Sequence, residues 1–334
     1  MDESGYRELL ATRHLPAEAI ERSVAVVRGF EESIQRLRPH AELERATAGD
    51  IMRFLEDLAE RAESEEQCEE GAYAVARYML FANNLEAQLA ILEAIDGMEV
   101  PGNLSRHLAE QVGERVRDEV FDGLEAPNVA AGPARKNAFM RELMRRLGAR
   151  VDDPTAKVVL QARLHFVPDE AFAEARERYL AAPHIDSFLA DEHRRYVDFL
   201  AGYRDSGALY FTQPITDAVL DYVRETPTCV PGGVRDGHVV HVTKIPYQAD
   251  AWLRETDPVR KRYLRCHCMW ARESILDPDA TVSVRFCECS AGFEKQYWDV
   301  VLGQPVGIDV VRSVLAGDDV CEFAIHLPEG VARG

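Results

Sequence analysis

Apolar positions recur at near-helical spacing through the first two hundred residues and give way to alternation after about residue 207. Ile20, Val24, Val27, Phe30 and Ile34 fall three or four apart behind Pro16, which predicts one amphipathic helix. Thr47-Ala48-Gly49-Asp50 reads as the capped start of a second, with Ile51, Leu55 and Leu58 on one face. The acidic run from Glu63 to Glu70 opens a third, where negative charge suits the positive end of the helix dipole. That stretch turns apolar through Tyr73, Val75, Tyr78, Met79 and Phe81, and Asn83-Asn84 separates it from Leu85 to Ile95.

Val100-Pro101-Gly102-Asn103 is the first clear punctuation, followed by an expected long helix from Leu104 to about Leu124. The small, turn-rich stretch Ala126 to Pro133 reads as a linker, and residues 134–206 return to helix with breaks at Asp152-Asp153-Pro154, Val167-Pro168 and Pro183-His184. Leu209 to Thr212 predicts a short strand, Ile215 to Arg224 a helix, and Val234 to Ile245 a β-branched strand region with a turn at Asp236-Gly237. Tyr247 to Glu255 predicts a helix, Thr281 to Cys287 an alternating strand, and Phe293 to Leu302 a helix. Val306 to Leu315 and Val320 to Leu327 predict strands joined at Gly317-Asp318. The expected class is α+β. An all-helical N-terminal bundle (1–125) is followed by a helical region (133–206) packed on the C-terminal domain, and by a mixed α/β domain (207–334).

Charge narrows the function classes. The 334 residues carry a formal net charge of −19, and residues 1–100 hold 22 acidic residues against 10 arginines and no lysine. A duplex-binding surface needs basic side chains to displace counterions from phosphate, and an anionic membrane surface needs the same sign, so neither nucleic acid nor membrane is an expected partner. The composition, 46% hydrophobic and 29% charged, is that of an ordinary globular chain. With no secretory signal and no bilayer-length apolar run in view, the expected location is cytoplasmic. Seven cysteines, an odd count, fit reduced thiols or metal ligands better than a disulfide framework.

The chemistry-bearing residues concentrate near the C-terminus. Cys266-His267-Cys268 is followed, after 18 residues, by Cys287-Glu288-Cys289. On a strand both thiols of a Cys-x-Cys pair point the same way, so two pairs can supply a tetrahedral zinc site; on a helix they splay apart. If metal is bound, Cys266, Cys268, Cys287 and Cys289 are the expected ligands, with His267 as a substitute for one. Zinc is the expected metal, with iron or an iron–sulfur cluster as the alternative. Small buried cysteines are the plain reading. Thiol chemistry is the third, since His267, Arg265, Arg272 and Lys295 are near enough in sequence to activate a thiol. No phosphate-cradling glycine loop, His-Glu-x-x-His or Gly-x-Ser-x-Gly is present.

Cys289-Ser290-Ala291-Gly292-Phe293, a helix to Gly303, the strand Val306 to Val310, and Gly317-Asp318-Asp319-Val320-Cys321-Glu322-Phe323 follow one another. That order resembles the vinyl reductase domain, a small-molecule-binding module of phenol-sensing activators and bacteriochlorophyll-related proteins. The Cys-His-Cys-x-Trp-x-Arg-Glu segment at Cys266 to Glu273 and the Cys-x-Cys-Ser-Ala-Gly-Phe segment are similar to those of uncharacterised bacterial and archaeal proteins. The resemblance covers about residues 240–328. It implies a mixed α/β fold that often dimerises around an apolar pocket, lined here by Trp252, Tyr263, Trp270, Phe286, Phe293, Tyr297 and Trp298. In the sensory members zinc is held by Glu-x-x-Cys…Cys; Cys321 matches the last ligand, but the earlier two positions are Ser313 and Val310.

The first expectation is therefore a ligand-binding or sensory protein with a structural zinc site, taking a small apolar or aromatic molecule and passing its signal to a partner protein or a second copy of itself. The alternative is a metal- or thiol-dependent enzyme, redox or hydrolytic, that uses the cysteine cluster.

Overall fold

The computed structural model describes residues 1–165 and 167–331, the Glu65 side chain apart; the last three residues of the domain expected over 207–334 lie outside the described residues. The chain divides into two compact units, Met1–Met98 with Pro127–Gly132, and Glu99–Ala126 with Pro133–Gly334.

Helices Glu3–Thr12, Ala17–Leu37, Ala48–Arg61, Glu65–Phe81 and Leu85–Ile95 build the first unit. The apolar stripes of the sequence form its core: Val24, Val27, Phe30, Ile34, Ile51, Leu55, Tyr78 and Met79 are all buried. The Tyr6 ring meets Tyr78 edge-on at 5.2 Å while its hydroxyl donates to the Ala74 carbonyl at 2.7 Å, so a buried aromatic keeps its polar tip satisfied. Thr47 and Asp50 form a reciprocal capping box. The Asp50 carboxylate, 3% exposed, also accepts from Arg53 at 2.7 Å and pairs with Arg38. Burial alone would raise the Asp50 pKa; the bonds from Thr47 and Arg53 and the Arg38 charge outweigh it and hold the carboxyl below its usual range. That contribution to stability is present above the unfolded-state value and is lost as pH falls through the folded one. Asp50→Ala is accordingly expected to cost about 1–3 kcal/mol at pH 7, with the difference from wild type shrinking below pH 4; urea unfolding at the two pH values checks this.

The second unit begins where a single long helix was expected. Gly113, at φ +114°, splits the segment into helices Val100–Gln111 and Glu114–Phe121, because only glycine holds that backbone conformation at low cost. The punctuation at Val100-Pro101 is itself the first turn of the first helix, where the N–H that proline lacks would have no partner. Helices Pro133–Arg150, Asp153–Leu160, Ala173–Ala181 and Ile185–Ser206 follow. Then come a two-residue ribbon, β1 (Leu209–Tyr210) and β2 (Gln213–Pro214), helix Asp217–Glu225, and strands β3 (Val234–Asp236) and β4 (Val239–Thr243). Short helices Ala249–Arg254 and Pro258–Arg265, helix Cys287–Leu302, and strands β5 (Gly307–Arg312) and β6 (Glu322–His326) complete it.

The larger sheet is antiparallel in the order β3-β4-β6-β5. Val240, Ile325 and Ile308 stand in register across it, as do Val242, Phe323 and Val310. With the exception of half-buried Val310, these side chains are buried against Ala291, Trp298, Val301 and Leu302 of helix Cys287–Leu302. His241, Glu322 and Arg312 form a polar network elsewhere on the sheet, with His241 Nδ1 2.9 Å from Glu322 Oε1. Alternation therefore has its usual cause, one apolar face on a core.

The strand expected over Thr281 to Cys287 is absent. Val284–Phe286 is a 3₁₀ turn and the long helix starts at Cys287. Val282 and Phe286 are buried and Val284 is exposed, which satisfies the alternation without any strand partner. Among the described residues no helix is long and apolar enough to cross a membrane.

Candidate functional site

Helix Cys287–Leu302 carries two of the flagged thiols, and on a helix they diverge. Cys287 Sγ lies 3.0 Å from Ser313 Oγ. Cys289 Sγ lies 3.6 Å from His165 Nε2, and His165 Nδ1 lies 3.0 Å from Glu99 Oε1. Phe293, one turn beyond Cys289, meets the His165 ring edge-on at 5.7 Å. A thiol, an imidazole and a carboxylate thus stand in file, with the carboxylate on the nitrogen away from sulfur.

Each of the three is positioned by its own element. Glu99 caps helix Val100–Gln111 by backbone alone, its side chain making no cap bond and facing His165 instead. His165 lies in the segment after helix Asp153–Leu160, which is fastened along the cysteine helix. Gln161 Nε2 donates to Glu288 at 2.6 Å and to the Ile308 carbonyl at 3.2 Å, Gln296 Nε2 donates to the Val167 carbonyl at 2.6 Å, and Asn103 Nδ2 to the Leu164 carbonyl at 2.9 Å. Gly292 permits this approach: a Cβ there would lie 2.7 Å from the Gln161 backbone. Cys289 occupies the first turn of its helix, where the dipole favours negative charge on a side chain.

The imidazole is partly open, its side chain 31% exposed against 5% for Cys289. Burial works to lower the His165 pKa; the hydrogen bonds to the Cys289 sulfur and the Glu99 carboxylate, together with their charges, win and raise it to about 10.

The other flagged groups are held differently. His267 bonds the Ile245 carbonyl through Nε2 at 2.6 Å, and desolvation, aided by the Lys244 charge, pushes its pKa down to about 3, so it is a neutral, half-buried donor. Cys266 and Cys268 follow helix Pro258–Arg265 in a loop and pack with Cys321 about Ile275 and Val314. Burial pushes the thiols of Cys266 (to about 12), Cys268, Cys287 and Cys321 upward. Among the described residues no group of three or more His, Cys, Asp or Glu side chains is disposed to hold a metal ion. The four thiols are nonetheless close enough to feel one another: Cys268 senses the charges of Cys266, Cys289 and Cys287, and Cys287 those of Cys321, Cys266 and Cys289.

The seven aromatic residues fall into several environments, with Tyr297 and Trp298 in edge-on contact at 5.5 Å. Trp298 is core beneath the sheet, and the Tyr297 hydroxyl donates to buried Glu192 at 3.0 Å. Trp270 is buried against Phe139, and Phe286 is buried at the foot of the cysteine helix. The Tyr263 hydroxyl donates to Glu273 at 2.9 Å, Trp252 lies against Tyr222, and Phe293 against His165. A surface groove of about 510 Å³, lined by residues such as Arg141, Met144, Gly148, Val282 and Arg285, includes none of the seven.

Sequence reasoning flagged Cys289 but missed His165 and Glu99. The local signal, a histidine in the apolar run Leu164 to Val167 between two helices, names no partner. No family model matches the chain, and neither a curated protein nor a solved structure matches it.

Proposed function

We propose that the protein is a thiol-dependent enzyme in which Cys289 attacks an electrophilic carbon, His165 carries the proton and Glu99 orients the imidazole. The observation that supports this reading is the Cys289–His165–Glu99 file, with sulfur 3.6 Å from one ring nitrogen and the carboxylate 3.0 Å from the other. A nucleophile within reach of a base that a third group orients is the recurring arrangement of covalent acyl transfer. Nε2 holds the proton at the outset, and the sulfur–carbon bond forms beside it. Collapse of the adduct breaks the bond to the leaving oxygen, sulfur or nitrogen, which takes that proton, and a thioester remains on Cys289. Water, giving a proton to the same Nε2, then releases the acid and returns sulfur and imidazole to their starting state.

The substrate class is a small ester, thioester or amide, since Cys289 is 5% exposed. p-Nitrophenyl acetate tests it: the expected result is a burst of about one p-nitrophenol per chain and an acetyl mass on the Cys289 peptide after acid quench. Acetylation elsewhere, or a burst undiminished in Cys289→Ser, sinks the reading.

The rival is the ligand-binding protein of vinyl-reductase type with structural zinc on Cys266, Cys268, Cys287 and Cys289. The packing of Cys266, Cys268 and Cys321 in one cluster favours it. It predicts about one zinc per chain in protein purified without added metal, lost in the Cys287→Ser/Cys289→Ser variant. Metal-free protein with every thiol titrating removes it.

A further inference from the structure

Arg265 is a large cation driven into the interior of the second unit, at 2% exposed. It closes helix Pro258–Arg265. Its Nη2 donates to the Tyr222 hydroxyl at 3.1 Å and to the Lys244 carbonyl at 3.2 Å, while Nε and Nη1 find no acceptor. No carboxylate among the described residues pairs with it. The neighbouring half-buried cation, Lys244, has its own counter-charge in Glu294 at 3.4 Å. The guanidinium lies 4.9 Å from the centroid of the Trp252 ring. Lys261, one turn earlier on the same helix face and half-buried, sets its ammonium 4.7 Å from that ring. Lys261 too pairs with no carboxylate among the described residues.

Two cations at i and i+4, one of them fully buried, are thus left without acidic partners in a chain whose net charge is −19. A buried charge is tolerated when an opposite charge meets it, and a ring face or a carbonyl compensates only in part. We propose that Lys261 and Arg265, walled by Trp252 and Tyr222, form a binding site for a small oxyanion, the carboxylate or phosphate of a low-molecular-weight ligand. Arg265 supplies the planar donor set at the floor and Lys261 the point charge at the rim. Tyr222, its ring 5.1 Å from Trp252, fixes the guanidinium so that its remaining donors stay turned to the ligand. The site rests on residues separate from Cys289, His165 and Glu99, so it stands whether or not the thiol chemistry does.

The test is the melting temperature of the full chain titrated with sodium phosphate or sodium benzoate, against sodium chloride at equal ionic strength. The expected result is a saturable rise of about 3–5 °C at ten times the half-saturating concentration, with the more effective anion telling phosphate from carboxylate. Arg265→Met abolishes the rise and Lys261→Met raises the half-saturating concentration at least about five-fold. Absence of a saturable rise with either anion overturns the proposal, as does a rise that persists in Arg265→Met. Should Arg265→Met not fold, Lys261→Met decides, because its side chain is half-buried at the rim; an unchanged half-saturation overturns the site.

Discussion

Replacing His165 by alanine is expected to slow the reaction of Cys289 with iodoacetamide about 100-fold near neutral pH, the size of effect that a positioned base supplies. The imidazole is the sulfur's hydrogen-bond partner, at 3.6 Å, and removing it takes that partner away. The fold should survive, since the His165 side chain is 31% exposed. Glu99→Gln keeps a hydrogen-bonding partner on Nδ1 but drops its charge, so a loss of about 10-fold is expected there. His267→Ala is the informative contrast. It removes the bond to the Ile245 carbonyl and costs stability, yet leaves the Cys289 rate where it was. Peptide-resolved mass spectrometry of timed alkylation reads all three, and a Cys289 rate indifferent to His165 would dismantle the pair.

Gly292→Ala should damage both stability and reactivity. The added Cβ would sit 2.7 Å from Gln161 Cα and O, and these are backbone atoms that cannot rotate aside. Overpacking of this kind costs about 1–3 kcal/mol, measurable by urea unfolding. The strand of chain that must retreat leads within four residues to His165, so Cys289 alkylation should also slow about 10-fold or more. Gly202→Ala, in helix Ile185–Ser206 with nothing within 4 Å of its new Cβ, should instead stabilise by about 0.5–1 kcal/mol and leave the rate alone. Equal behaviour of the two variants would remove Gly292 from any role in placing His165.

The elements that could be read along the chain were those whose cause is local. The 3.6-residue stripes of the first unit and the Thr47–Asp50 capping box depend on residues within one or two turns, and the structure has them where the spacing puts them. Strands β4, β5 and β6 were legible because one face of each meets a core. Thr281 to Phe286 misled because alternate burial does not require a strand: a 3₁₀ turn beside a helix buries Val282 and Phe286 just as well. The interruption at Gly113 was visible only as a glycine, with nothing to show that its φ would be +114°. The candidate site was half legible. Cys289 stood out by its pattern, but proximity in sequence suggested His267 as its base, whereas the imidazole that reaches it comes from 124 positions earlier and the carboxylate from 66 before that. Such partners are set by how Gln161, Gln296 and Asn103 tie one segment down, and spacing carries no record of that.

The course of the chain between the two units has a practical consequence. It leaves the first unit after Met98, runs through Glu99–Ala126 in the second, returns for Pro127–Gly132, and leaves again. A single proteolytic nick anywhere in 99–126 therefore yields two pieces that each hold part of the second unit, with Glu99 stranded on the opposite side of the cut from Cys289. A shortened version beginning at Pro133 would keep Cys289 and His165 but discard the Glu99 carboxylate and the Asn103 tether. The protein is in this sense threaded rather than strung, and its halves cannot be separated by trimming from either end.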